Sequence, residues 1–205
     1  MRLHTKTFIL TGALLALPAC GGDDDGSGGD DGLPTSTRNE LNWKRYKAVE
    51  ADLSTAMALT PDELCIELGQ FNCIREVHLT SMGGHNPFEQ GLYEPLDSPL
   101  VTTSLALDRI VLSACSERIE RDAGGGAEVF TTLDLGASAP DAASTEFNDT
   151  VQMLYRRLLA RDPLPEELEV FADLRVDADG ATVSGADFAL AACYAVGTTT
   201  EFLFF

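Results

Sequence analysis

The chain of 205 residues carries 33 acidic against 14 basic side chains, a formal net charge of −19 at pH 7. So acidic a surface excludes the cationic footprint of a nucleic-acid-binding protein and argues against direct adsorption to anionic lipid. It suits solubility, salt tolerance or a cationic partner.

Residues 1–19 have the three parts of a secretory signal. Arg2, His4 and Lys6 form a positive start, Phe8 to Leu17 an apolar stretch broken by Thr11 and Gly12, and the small Ala19 precedes a cleavage point. The apolar run is shorter than the ~20 residues that a membrane-spanning helix needs. Leu17-Pro18-Ala19-Cys20 resembles the lipobox of bacterial lipoproteins, Pro18 departing from the usual pattern. That resemblance implies that Cys20 is lipidated and becomes the first residue of the mature chain. Two or three acyl chains on Cys20 anchor stably where a single chain does not. Gly21 in place of an aspartate implies, by analogy with enteric bacteria, the outer membrane, with the periplasmic or the surface face left open.

Residues 21–32 are Gly, Ser and Asp only. They have nothing apolar to bury and are expected to stay disordered, a self-repelling spacer with a reach of ~20 Å. Without the signal, 12 bases face 33 acids, a net charge of −21; from Leu33 onward the balance is still 28 acids against 12 bases, or −16. The expected organisation is a signal at 1–19, a lipidated cysteine and tether at 20–34, and a single helical domain at 35–205.

With Cys20 taken by lipid, Cys65, Cys73, Cys115 and Cys193 remain. An even number in an exported chain suggests two disulfides, with three connectivities open. Cys65 and Cys73 are close enough for a local bridge; Cys115 and Cys193 lie in separate helical patterns that a bridge would staple together. The alternative is small buried hydrophobes. No Cys-x-x-Cys-His occurs, so covalent haem is excluded, and no cofactor is expected.

Thr37 and Glu40 form a capping box that predicts a helix to about Ala58, with Trp43, Tyr46, Val49, Leu53 and Met57 as its apolar stripe. Thr60-Pro61-Asp62-Glu63 predicts a second, short helix ending near Gly69. Residues 71–99 read as a long irregular segment, rich in Gly, Pro and Asn. Loops of this length are often functional, which makes it the first place to look for a site. Ser98-Pro99 opens a long helix with Val101, Leu105, Asp108, Leu112, Cys115 and Ile119 near one face, widened by Leu107, Ile110 and Val111. Asp108 and Arg109 are expected to make a partly buried polar contact, and Gly124-Gly-Gly126 ends the helix.

Glu128 to Leu135 reads as a short strand or extended piece, followed by a loop of small residues. Helices are then predicted from Thr145 to Arg161, from Pro165 to about Arg175, and from the Ser184/Asp187 capping box through Tyr194. Gly197 interrupts, and the apolar end Phe202-Leu-Phe-Phe205 is expected to dock into the core. The fold class is therefore all-α, an irregular bundle of about five to six helices.

Tyr155-Arg-Arg-Leu-Leu-Ala-Arg-Asp-Pro163, Glu166-Glu-Leu168 and Glu201-Phe-Leu-Phe204 together resemble helical modules in large envelope proteins of planctomycetes and myxobacteria. The resemblance covers about 60 residues and implies helical architecture. Arg156 and Arg157 beside acids read as ion pairs.

Candidate metal ligands fall in two places. His78 and His85, with Glu76, Glu89 or Cys73, have the donor types for zinc or copper, although His-x6-His is not a recognised ligand spacing. Asp177, Asp179 and Asp187 lie in a segment resembling a worn calcium loop, but Gly180 and the terminal acid cannot both be in register. A turn followed by a capped helix explains the same residues. No nucleophile elbow, zincin, phosphate-loop or dinucleotide motif occurs, and no catalytic residue is nominated. The function expected is a non-enzymatic binding or assembly subunit, held to the membrane through Cys20 and presented to an envelope protein partner. The alternatives are a metal-assisted enzyme or a calcium-stabilised structural lipoprotein.

Overall fold

The computed structural model describes residues 42–89 and 91–204. The expected signal, Cys20, the tether and the Thr37–Glu40 capping box lie outside the described residues. The elements are α1 (Tyr46–Met57), β1 (Ile66–Glu67), β2 (Phe71–Asn72), a π-helix (Cys73–Val77), α2 (Val101–Ala123), α3 (Thr145–Leu159), α4 (Pro165–Asp173), α5 (Gly185–Gly197) and α6 (Thr200–Leu203). The domain is mainly helical, as the periodicity predicts, with one small hairpin added.

Four helices close into a ring. α1 lies against α2 and α3, and α5 lies against the same two. Val49, Leu53 and Met57 of α1, Ile110, Val111 and Ala114 of α2, Val151 and Leu154 of α3, and Phe188, Ala192 and Val196 of α5 are all fully buried there. Each large apolar side chain so buried contributes roughly 1.5–3 kcal/mol. Phe147 of α3 stacks on Phe188 of α5 with ring centroids 5.6 Å apart.

Helix α5 extends past Tyr194 to end at Gly197, and the expected interruption falls at Thr198 and Thr199. A Cβ on Gly197 would sit 2.6 Å from Val111 Cγ1, so the missing side chain is what lets α5 and α2 approach. The cysteines pair as Cys65–Cys73 and Cys115–Cys193, with Cα separations of 5.4 and 6.0 Å. The second bridge ties α2 to α5 inside the ring, with Met57 Sδ 3.6 Å from Cys193 Sγ.

Several local expectations are corrected. Helix α1 begins at Tyr46, because the residues before it are engaged elsewhere: Lys44 N–H donates to the Leu203 carbonyl at 2.7 Å and Trp43 bridges to Phe204. The expected helix over 60–69 does not form. Instead Cys73 N–H donates to the Cys65 carbonyl at 3.0 Å and the two side chains are bridged, so the chain folds back on itself as a hairpin. Thr60 and Glu63 still make the capping contact, Glu63 accepting from both Thr60 N–H and Oγ1, but only a turn follows. The chain then reverses through Leu68 and Gly69, both at positive φ, into the β1–β2 hairpin.

On α2 the buried face is rotated from the stripe read in the sequence. Val101, Leu105 and Leu112 are exposed, whereas Thr103, Ala106, Arg118 and Asp122 are buried. The piece from Glu128 to Leu135 is a series of bends rather than a strand. The C-terminal end docks as expected, with Phe202 fully buried. No described helix is long and apolar enough to cross a membrane.

The two bridges close loops of very different length, with sequence separations of 8 and 78. In a chain-entropy account, Cys115→Ala/Cys193→Ala is expected to cost about 4.5 kcal/mol and Cys65→Ala/Cys73→Ala about 2.5 kcal/mol. Urea unfolding of the two double variants checks both the size and the order.

Candidate functional site

The segment singled out by its length and turn-rich composition is built on a braced platform. Asn72 Oδ1 accepts from the Ile74 and Arg75 amides and so starts the π-helix. Arg75 reaches back to Glu50 of α1, with Nε 2.7 Å from Oε1, and to Asp62. Glu67 of the hairpin pairs with Arg109 of α2 at 2.8 Å and lies 3.2 Å from His78 Nε2. The hairpin, the π-helix and α2 are thereby held together.

Above this platform stands a loop of residues 82–99 whose two ends meet at one hydroxyl. Thr103 Oγ1 donates to the Ser81 carbonyl at 2.6 Å and accepts from the Leu100 amide at 2.9 Å. Thr103 is buried, so this oxygen satisfies two backbone groups where water cannot. At the first end the Met82 carbonyl accepts from Tyr46 N–H. Gly83, at φ +73°, presses against the Trp43 indole, where a Cβ would lie 2.5 Å from Cη2. Compact loops with adjacent ends are frequently functional.

Inside the loop, Asn86 Oδ1 accepts from the Phe88 and Glu89 amides, and its Nδ2 donates to Glu89 Oε2. That turn leaves the Phe88 side chain 99% exposed, and Tyr93 is 78% exposed. A cleft of about 450 Å³ runs between the π-helix and the loop, lined by Phe71, Arg75, Glu76, Leu79, Asn86 and Glu89.

The exposed apolar surface is unevenly distributed. Of the 13 large hydrophobic residues that are exposed among the described residues, ten fall between Ile66 and Leu112, on the hairpin, the π-helix, the loop and α2. Single exposed hydrophobics need no explanation; ten within one stretch of chain single that stretch out as a candidate for contact.

The candidate metal ligands do not assemble. His78 faces Glu67 and Arg109, His85 is exposed, and Cys73 is spent in its disulfide. Asp177 Oδ1 accepts from the Asp179 and Ala181 amides, forming a turn with Gly180 at φ +80°. Asp187 accepts from Ser184 Oγ, whose oxygen in turn caps the Asp187 amide. Among the described residues no group of three or more His, Cys, Asp and Glu is placed to hold a metal ion.

Two polar clusters are structural. Arg118 and Asp122, both nearly inaccessible on α2, pair at 2.6 Å. Asp122 also accepts the amides of Glu128, Val129 and Phe130, which replaces the ladder that a strand would have supplied. Arg161 forks onto Glu167 of α4 and Glu201 of α6, with all four contacts between 2.7 and 2.8 Å, and lies over the Tyr155 ring. The pieces of chain carrying Tyr155 and Arg161, Glu167 and Glu201 thus converge on one ion-pair network.

Hydrogen bonding to Arg161 lowers the Glu167 carboxyl from 4.5 to about 2, and burial pushes the Tyr155 hydroxyl up to about 12. Arg156 pairs with Asp162, and Arg157 donates to the Ala56 carbonyl at the end of α1. A second cleft of about 440 Å³ opens beside Lys44, Asp52, Arg157 and Glu201; Lys44 pairs with Asp52 and Glu201 with Arg161, while Arg157 donates to the Ala56 and Glu128 backbone carbonyls. The buried Arg118–Asp122 pair, and Thr103 as a staple, escaped sequence reasoning; the four-residue spacing of Arg118 and Asp122 was the one visible hint.

Compared with known proteins, the chain matches no family model, no curated protein and no solved structure. The functional reading therefore rests on its own residues.

Asp122→Ala removes the 2.6 Å partner of the buried Arg118 and the acceptor of the Glu128, Val129 and Phe130 amides, and is expected to cost about 3–5 kcal/mol, measured by urea unfolding. Glu167 contributes stability that is fully present above pH 4.5 and is lost as pH falls towards about 2. Glu167→Gln is expected to flatten the acid limb of the stability–pH profile over that window. An unchanged slope would mean that the ion pair does not form in solution.

Proposed function

We propose that this protein is a lipid-anchored envelope subunit whose work is binding or assembly rather than catalysis. The observation that carries the reading is the concentration of exposed apolar side chains between Ile66 and Leu112, on a platform braced by a disulfide, ion pairs and the Thr103 staple. A surface so supported loses little entropy on docking, because its backbone is ordered beforehand.

The anchor is proposed from the Leu17-Pro18-Ala19-Cys20 ending. The Gly/Asp spacer then holds the domain within a few tens of ångströms of the bilayer, raising its effective concentration towards partners in the same membrane. The acidic surface keeps the domain from collapsing onto anionic lipid.

Cys20→Ser is expected to abolish incorporation of an alkyne-tagged fatty acid and to move the protein from the membrane to the soluble fraction. An unlabelled wild-type chain would overturn the anchor. Elemental analysis of purified protein tests the other half: stoichiometric zinc or copper would overturn the non-catalytic reading, and stoichiometric calcium would favour a calcium-stabilised structural lipoprotein instead.

A further inference from the structure

We propose that the loop of residues 82–99 is the recognition element of this surface, and that its occupant is a protein with a cationic groove holding two apolar pockets, one for Phe88 and one for Tyr93. The inference rests on the binding-subunit reading above and names the chemistry of the partner.

The loop has three features that fit this occupant. Its two aromatic rings are the most costly to leave in water, and both are nearly free of the domain. Aromatic side chains seated in pockets supply most of the energy of many interfaces at little cost in rotamer freedom. Between and after them stand Glu89, Glu94 and Asp97, all exposed, and the loop contains no Lys or Arg. Of the cations nearby, Arg75 is committed to Glu50 and Asp62 and Arg109 to Glu67, while Arg45 packs against Gly83 at the base of the loop.

The partner surface is therefore positive at the rim and apolar in the pockets. Four residues lie between Phe88 and Tyr93, so their Cα atoms are at most ~18 Å apart. The base of the loop is closed by Thr103 and the Phe88 turn by Asn86, so this part of the aromatic display is preformed.

A membrane is the competing occupant for exposed aromatics, and the carboxylates argue against it. Inserting Phe88 and Tyr93 into a bilayer interface would carry Glu89, Glu94 and Asp97 to a surface whose anionic lipids repel them.

The test uses the full lipid-anchored chain in native membranes. A photoreactive phenylalanine analogue is placed at position 88, at position 93 and, as a control, at the exposed Val170 of α4. The expected result is one protein adduct shared by 88 and 93 and absent from 170, its cross-linked peptide lying in a Lys/Arg-rich stretch with apolar residues. Binding of that purified partner is expected to weaken at least about thirtyfold in Phe88→Ala/Tyr93→Ala.

Glu89→Lys/Glu94→Lys/Asp97→Lys is expected to weaken binding and remove most of its salt dependence. All five side chains are exposed and only Glu89 makes a side-chain hydrogen bond named above, to Asn86, so both variants are expected to unfold close to the wild-type midpoint, which is checked first. Adducts with lipid at 88 and 93, or a contact peptide without basic residues, would overturn the proposal. A protein adduct at 170 alone would also overturn it while leaving the binding-subunit reading intact. No protein adduct at any of the three positions would overturn both.

Discussion

A small helical domain with this much irregular backbone stands on where its peptide groups find partners, and Asp122 shows how. Its carboxylate sits in the core, neutralised by Arg118, and takes three successive amides from the chain leaving α2. Without it, Glu128 to Phe130 would have to pair in a sheet or face water, and Phe130 would leave the core. A buried ion pair is seldom a net source of stability against an apolar replacement. Here its value is positional, because it lets a bent segment pass over the end of the bundle with its amides satisfied.

The same constraint is met by different means around the molecule. Thr103 closes the 82–99 loop, Asn72 starts the π-helix, Asp177 makes its own turn, and Arg157 takes a carbonyl at the end of α1. These side chains lie on separate elements, yet each holds a stretch that could not hold itself. The consequence for function is direct. The loop bearing Phe88 and Tyr93 is presented by the ring of helices, and its base is fixed by a residue of α2, the helix most closely tied to the core by Cys115–Cys193. A presenting surface and a stable scaffold are thus parts of one arrangement.

The Arg161 network gives physical content to a sequence cadence. Tyr155, Arg161, Glu167 and Glu201 lie in three pieces of chain, and the pieces meet because one guanidinium offers two forked faces to two carboxylates. The pattern is a way of closing α3, α4 and α6 on one another. Both carboxylates are hydrogen-bonded to the one guanidinium, which makes the network a clasp between helices.

Caps and apolar periodicity determined, from sequence alone, that the domain is helical and where α3, α4 and the start of α5 lie, because Ser144, Pro165 and Ser184 act on the residues next to them. The cysteine count made two disulfides reasonable, and the long irregular segment was visible through its Gly, Pro and Asn content. Tertiary structure alone decided the rest. A turn at 61–64 and the hairpin clasped by Cys65–Cys73 stood where a helix was expected; α1 started late because Lys44 bonds to Leu203; α5 came close to α2 because Gly197 leaves room for Val111. The rotated face of α2 had the same origin. Periodicity registers apolar residues wherever they stand, but which of them are covered depends on neighbours from distant parts of the chain, and an exposed Val101 or Phe88 looks in sequence like any residue of the core.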